Sequence, residues 1–408
     1  MSLLSVTEAR QRILARFTPV QPTEIPLAQA NHRVLSRDIR AGAELPPFDN
    51  SSMDGFAVHA ADTVDAPVTL PVVADIPAGS YPDFDLPRGQ AARIMTGAML
   101  PRLADAVIPV EDTDFTERAP GTPAPHQVTL HKPVRAGDSV RRRGADLKEN
   151  EVVLAAGRRL RAQDLGLLSM LGVAQVPVYR LPRIGLLSSG DELLPPEMPL
   201  LPGKVRDANS YTLAALMDDL GCEVVPLGIA SDNAADVRSR LEQAAAANVD
   251  LILSSAGVSV GAYDYVKDVI VSDGELSFWR VDMRPGKPLA FGQYKDIPFI
   301  GLPGNPVSAF VGFEVFVRPV VEKLSGMTPR PRPVTRVSLA EAVDSDGRES
   351  YLRAVVTFEN GRPQARLAGH QGSGNLRSVV LANALLIIPS GVKSLPPAAE
   401  VDAWLYED

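Results

Sequence analysis

The stretch LPRIGLLSSGDEL, Leu181 to Leu193, marks a change in the character of the chain. A short apolar run behind a proline empties into small residues, a glycine and two acids, as a buried strand does when it ends in a polar loop. From Arg183 onward such strands alternate with helical spacing. RIGLLS leads to a segment with Leu213, Leu216, Met217 and Leu220 at i, i+3, i+4 and i+7. CEVVPLGI precedes one carrying Val237 and Leu241, and VDLILSS precedes one with Val266, Val269 and Ile270. The succession βαβαβα predicts a parallel sheet covered by helices. A long apolar helix after GLPGNP closes the unit near Gly326.

Upstream, VTLPVVADI, ADAVIPV and HQVTLHKPV alternate with Pro, Gly and Asp and lack helical periodicity, which predicts a β-rich domain. Downstream, MTPRPRPV reads as a linker into a second small β domain. The opening MSLLSVTEARQRILARF predicts an amphipathic helix, with Ser5 and Glu8 as a capping box and Val6, Ile13, Leu14 and Phe17 on one face. Thirty-six prolines, spread along the chain, punctuate short elements.

At 408 residues the chain is too long for one ordinary core. Its 45% hydrophobic and 22% charged residues describe a soluble globular protein. A net charge of −8 argues against a nucleic-acid surface. The longest apolar stretch, VSAFVGFEVFVRPVV, is interrupted by Glu314, Arg318 and Pro319, so no membrane span is expected. The start lacks a signal-peptide pattern, and a cytoplasmic protein is expected. The single Cys222 excludes an internal disulfide and reads as a buried small hydrophobe.

Ligands of open parallel sheets bind beyond the carboxyl ends of the strands. Three polar segments fall there: SSGDEL (Ser188 to Leu193), ASDN (Ala230 to Asn233) and SSAGVSVGAYD (Ser254 to Asp264). Each joins small residues to a carboxylate: Asp191 or Glu192, Asp232, and Asp264. Asp232 and Asp264 have a second reading, as caps of the helices that follow. Three such loops on one edge favour an anion site with an oxygen-ligated metal. MRPGKP adds Arg284 and Lys287, and GLPGNPVS places Asn305 as an N-cap before Pro306. In the β-rich domain, PPFDNSSMDGFAV, RIMTGAMLP and SVRRRGADL bring polar turns with Asp54, Thr96 and Asp146. Three consecutive arginines, Arg141 to Arg143, cannot share one strand face. There is no Walker A pattern, no GxGxxG after the first strand, no HExxH and no serine elbow.

Taken together, FDNSSMDGFAV, RIMTGA, RRRGAD, LLSSGDEL, SSAGVSVGAYDY, MRPGKP, GLPGNPVSAF, SYLRA and GSGNLRS resemble, in order and over essentially the whole chain, the MoeA family of molybdopterin molybdenumtransferases, whose relatives include the gephyrin E domain. The resemblance implies an elongated α/β multidomain fold. Its parts would be a MogA-like doubly wound α/β domain (1–24 and 180–326, the N-terminal helix assignable instead to the linker domain), a linker domain (25–42 and 147–179), a β-rich domain (43–146) and a C-terminal small β-barrel domain (327–408). It implies insertion of molybdate into adenylylated molybdopterin with Mg²⁺-dependent release of AMP. It also implies a homodimer with a shared active site, and transient contact with the molybdopterin adenylyltransferase and recipient molybdoenzymes.

By motif match the catalytic positions are Asp54, Thr96, Asp146, Glu192, Asp232 and Asp264, of which Glu192, Asp232 and Asp264 are metal ligands. Substrate would be bound by Ser188, Ser189, Gly190, Gly257, Ser259, Gly261, Pro303, Gly304 and Asn305. Arg284, Lys287, Ser308, Arg353 and Ser373 would lie on the molybdate side. Two positions depart from the family pattern. Ala256 replaces the usual glycine of SSGGVSVG, which strains the backbone if φ is positive and otherwise narrows the pocket. Arg284 replaces the lysine of some members, exchanging a point charge for a planar fork. A tungstate-inserting enzyme, or a silent gephyrin-like scaffold, is the alternative reading.

Overall fold

A computed structural model describes residues 3–117, 119, 121–256, 265–359 and 361–406. Two compact units make up the chain: Asp38–Ala155 with Gly166–Val173, and the remainder, Met1–Arg37, Ala156–Leu165 and Ala174–Asp408. Helix α1 (Val6–Leu14) starts as its sequence predicts, Ser5 Oγ accepting from the Glu8 N–H at 3.2 Å. The capping box is only half made, because the Glu8 carboxylate pairs forward with Arg12 at 2.6 Å. Val6, Ala9, Ile13 and Phe17 enter one core with Ile184, Leu186 and Leu253.

The smaller unit carries a five-stranded sheet of β1 (Gly55–Val58), β2 (Val68–Ile76), β3 (Ala91–Ile94), β4 (Ala106–Pro109) and β5 (Gln127–Leu130), in the order β4-β1-β3-β2-β5. Phe56, Ile108, Val128 and Leu130 fill one face; Ala57, Ile76, Ile94 and Val107 fill the other. Each arginine of the triple run has its own carboxylate. Arg141 pairs with Asp146, Arg142 with Asp49 at 2.7 Å, and Arg143 with Glu44 at 2.5 Å. The run is thereby neutralised locally.

The larger unit contains the sheet predicted from LPRIGLLSSGDEL onward. Its elements are β6 (Arg183–Ser189), α2 (Asn209–Asp219), β7 (Glu223–Ala230), α3 (Ala234–Ala246), β8 (Leu251–Ser255), α4 (Tyr265–Asp273), β9 (Gly274–Arg280), a short β10 (Met283–Arg284), β11 (Pro288–Tyr294) and β12 (Ile297–Leu302). Strand order is β7-β6-β8-β12-β11-β9, with the first four parallel. The β11–β12 hairpin and β9 add antiparallel strands, so the sheet is mixed rather than purely parallel. Pro226 sits on edge strand β7, where its missing N–H removes no ladder bond on the open side. Leu213 and Met217 of α2 pack on one face of the sheet with Leu251 and Leu253; Val237 and Leu241 of α3 pack on the other with Ile252. Burying each such side chain contributes about 1.5–3 kcal/mol.

Cys222 lies in the first of these cores, and burial pushes its thiol up to about 12, so it is an inert apolar filler. The apolar helix after GLPGNP is α5 (Pro306–Gly312), a π-helical turn at Phe313–Val317, and α6 (Arg318–Leu324). Pro319 has no N–H to return to the Val315 carbonyl, and the wider turn falls just before it. Glu314 is buried in that turn between Arg318 at 2.8 Å and Arg332 at 2.5 Å.

Beyond the linker, β13 (Val334–Leu339), β14 (Glu349–Glu359), β15 (Arg362–Leu367), β16 (Ala384–Ile388) and β17 (Glu400–Leu405) close into a five-stranded barrel, with α7 (Leu376–Leu381) between β15 and β16. Period-two alternation along β14 sends Leu352, Ala354 and Val356 into the barrel core. Tyr351 joins instead the core shared with the α/β domain, and Arg353 lies on that same face of the strand. Strand β10 extends the barrel sheet by pairing parallel to β14, Met283 with Glu349 and Arg284 with Ser350. Among the described residues no helix is long and apolar enough to cross a membrane.

Candidate active site

Strands β6, β7, β8 and β12 end level with one another: Ser189 pairs with Ala230, Ser188 with Ser255, and Ser255 with Leu302. The loops that follow open a cavity of about 720 Å³ at the carboxyl edge, where the strand order switches direction. Ser189, Gly190 and Glu192 come from the first loop, Asp232 from the second, Ser255 and Ala256 from the third, and Pro303, Gly304 and Asn305 from the fourth. At Gly190, φ is +140° and any Cβ would take the space of the Glu192 carboxylate, so glycine there lets that acid fold over the loop.

Asp232 does not cap α3. The cap is Asn233, whose side-chain oxygen accepts from the Asp236 N–H at 2.8 Å. Asp232 instead exchanges backbone contacts with Asp191: its N–H donates to Asp191 Oδ1 at 3.1 Å, and its Oδ2 accepts from the Asp191 N–H at 3.4 Å. Asn305 also departs from its predicted role. It occupies the N-cap position of α5 but makes no side-chain cap bond, and it lines the cavity.

A second cavity of about 350 Å³ adjoins the first and shares Pro288, Asn305 and Ser308 with it. Its other walls include Arg284 and Lys287 from the MRPGKP loop, and Arg353, Gly372 and Ser373 from the barrel domain. Arg353 is 0% exposed. Its Nε donates to Ser378 Oγ at 3.0 Å and one terminal nitrogen donates to the Gly372 and His370 carbonyls at 3.1 and 3.4 Å. No carboxylate pairs with it among the described residues. Burial lowers its pKa to about 10, with Arg284 pushing the same way and Tyr406 opposing; the side chain is a cation at neutral pH. A buried cation satisfied only by neutral acceptors favours an anionic ligand.

Ser188 is buried just beneath the rim, and its Oγ has no partner among the described residues. Gly257, Ser259, Gly261 and Asp264 lie outside the described residues. In the smaller unit, Asp54 and Thr96 are brought together, the carboxylate accepting from Thr96 N–H at 2.7 Å and Thr96 Oγ1 at 2.6 Å. Asp146 is held by Arg141 in the same unit.

Sequence reading passed over two contributors. Asn209, at the start of α2, donates from Nδ2 to Ser255 Oγ at 2.7 Å and to the Gly304 carbonyl at 2.8 Å, tying two loops of the larger cavity together. Its RDANS context carries no more than the residues of an ordinary helix start. Arg348 lines the smaller cavity and lies five residues before Arg353; surface charge in a turn was the signal it offered.

Family models match in register along the chain: the MoeA N-terminal region (domain I and II) over residues 4–172, a "probable molybdopterin binding domain" over 185–323, and the MoeA C-terminal region (domain IV) over 336–406. The molybdopterin molybdenumtransferase of Haemophilus influenzae is 36% identical over 393 residues, 95% of this chain and 94% of that one. This chain belongs to the MoeA family. Molybdopterin molybdenumtransferase 2 of Mycobacterium tuberculosis is 37% identical over 98% of this chain and 99% of that one. A solved MoeA structure from Pyrococcus horikosii has a TM-score of 0.85 at 30% identity, covering 100% of both chains.

At Ala256, where the resemblance implies a glycine, φ is +77°. The strain alternative therefore holds. The Ala256 Cβ also faces Gly304, where an added Cβ would lie 3.2 Å from it. Ala256→Gly is expected to stabilise the unit by about 0.5–1 kcal/mol, read as a higher thermal midpoint, because alanine is disfavoured in the left-handed region. An unchanged or lower midpoint would show that the loop absorbs the strain.

Proposed function

We propose that the chain inserts molybdate into adenylylated molybdopterin and releases AMP. The observation that carries this reading is the pair of adjoining cavities with a shared wall at Pro288, Asn305 and Ser308. The larger, rimmed by Glu192 and Asp232, suits the nucleotide and phosphates. The smaller, lined by Arg284, Lys287 and Arg353, suits a tetrahedral dianion. A ligand bound across the shared wall would present its dithiolene to the oxyanion. Ser308 and Asn305 would orient the junction. Arg353 would donate from its fixed guanidinium, and Lys287 would supply mobile charge at the mouth.

Glu192 and Asp232 would hold Mg²⁺, with Asp264 as a further ligand by motif match. No cluster of three metal-ligating side chains stands together among the described residues. Oxygen donors of this kind nonetheless fit the ion, which is commonly held by one or two carboxylates plus substrate phosphates and water. When bound it supplies positive charge to the pyrophosphate. Water would then break one P–O bond, leaving AMP and the phosphate of molybdopterin. Asp54, Thr96 and Asp146 would join the site from a second copy in a homodimer with shared active sites. The cytoplasm is the expected compartment.

The test is AMP release from adenylylated molybdopterin and Mg²⁺, with and without molybdate. Release that depends on molybdate, with product that activates a cofactor-free molybdenum enzyme, supports the reading. Tight binding without release in the presence of molybdate overturns it.

A further inference from the structure

The smaller cavity draws its cations from two domains. Arg284 and Lys287 belong to the α/β domain and Arg353 to the barrel, so the spacing between the charges depends on how the two domains are held at this point. One side chain spans the seam. Arg348, in the turn before β14, donates from Nη1 to the Met283 carbonyl of β10 at 2.9 Å. Its Nε donates to Asp346 Oδ2 at 3.0 Å, and its Nη2 donates to the same carboxylate. Asp346 thus neutralises the guanidinium and aims it, leaving a directed donor for the backbone beside Arg284. Immediately after, β10 and β14 pair in parallel, and Ser345 and Ser350 hydroxyls meet at 2.8 Å behind the turn. β10 has only two residues and one short ladder; the buried Met283 side chain and the Asp282 N–H bond to the Leu4 carbonyl at 2.8 Å hold its start, and Arg348 adds the bond at the Met283 carbonyl, next to Arg284.

We propose that Arg348 is a positioning residue that, clamped by Asp346, holds Arg284 at the distance from Arg353 that a tetrahedral oxyanion requires. It acts through the Met283 carbonyl rather than through its own charge, because that charge is already paired. The inference rests on the smaller cavity being the molybdate site. A planar fork is needed for the role, since lysine cannot hold a carboxylate and a carbonyl in fixed directions together.

The experiment titrates the full-length protein with sodium molybdate by calorimetry, for wild type, Arg348→Gln, Arg348→Lys and Asp346→Asn. Thermal midpoints and the KM for adenylylated molybdopterin are measured alongside. Loss of a well-aimed hydrogen bond to a charged ligand weakens binding on the order of tenfold or more. Arg348→Gln and Arg348→Lys are therefore both expected to weaken molybdate binding by about tenfold, and Asp346→Asn somewhat less, with the other KM within about twofold. Wild-type affinity in Arg348→Gln overturns the inference and leaves the cavity assignment standing. Restored affinity in Arg348→Lys overturns it in favour of plain charge. Joint loss of molybdate affinity, the other KM and the thermal midpoint overturns it in favour of a general structural role. Absence of molybdate binding in the wild type overturns both the inference and the assignment beneath it.

Discussion

Arg353→Ala is expected to lower molybdate-dependent turnover by about 10²- to 10³-fold, the range seen when a preorganised donor to developing or bound negative charge is removed. The reason lies in how the guanidinium is held. It is fully buried, and Ser378 Oγ and two carbonyls fix its plane. Nothing anionic among the described residues offsets its charge. A ligand anion entering the cavity therefore meets a donor that needs no reorganisation and a charge that water does not screen. Arg353→Lys should recover little of the loss, because one ammonium cannot reach three acceptors and the ligand together. Saturating molybdate should also raise the thermal midpoint of the wild type and leave that of Arg353→Ala unmoved. Equal midpoint shifts in both proteins would remove Arg353 from the oxyanion site.

The second large effect is expected at Asp232. Asp232→Ala should reduce AMP release by at least about 10²-fold, by removal of a carboxylate that suits the cation at the phosphates. Stability should change by less than about 1 kcal/mol, since the carboxylate's described bond is a single long one to Asp191 N–H, at 3.4 Å. Asn233→Ala should behave in the opposite way. It removes the cap of α3 and costs about 1 kcal/mol while leaving AMP release nearly intact. The pair of variants separates capping from chemistry at adjacent positions. A stable, fully active Asp232→Ala would show that the carboxylate takes no part in turnover.

That contrast shows where sequence reading stops. The sequence reading of ASDN names Asp232 as a possible cap, and its neighbour Asn233, which that reading left out, satisfies the same local rule. Backbone geometry decides between them: Asn233 has extended dihedrals at the cap, and Asp232 is turned toward the cavity. Asn305 shows the same limit, since its position before Pro306 is that of a cap but its side chain makes no capping bond. The addition of β9 and of the β11–β12 hairpin was also hidden. Short apolar runs carry no mark of strand direction, which is set by pairing across the sheet.

The sequence by itself determined the local elements and the chemistry available to them. Period 3.6 on Leu213 and Met217 specifies α2, the apolar runs at Arg183, Glu223 and Leu251 specify strands, and small residues with carboxylates specify the loops beyond. The motifs, in register along the chain, marked the family. Only the tertiary structure decided which charges meet. Arg284 and Arg353 are separated along the chain by the β11–β12 hairpin, α5, α6 and β13, and they line one cavity because β10 pairs with β14 across the domain seam. Likewise, alternation along β14 turns Arg353 outward from the barrel core, where Ser378, His370 and Gly372 of the segment around α7 enclose its guanidinium. Local pattern acts over one or two turns of chain. The desolvation and spacing of charges depend on elements that approach only when the domains pack, and those are the quantities that make an anion site.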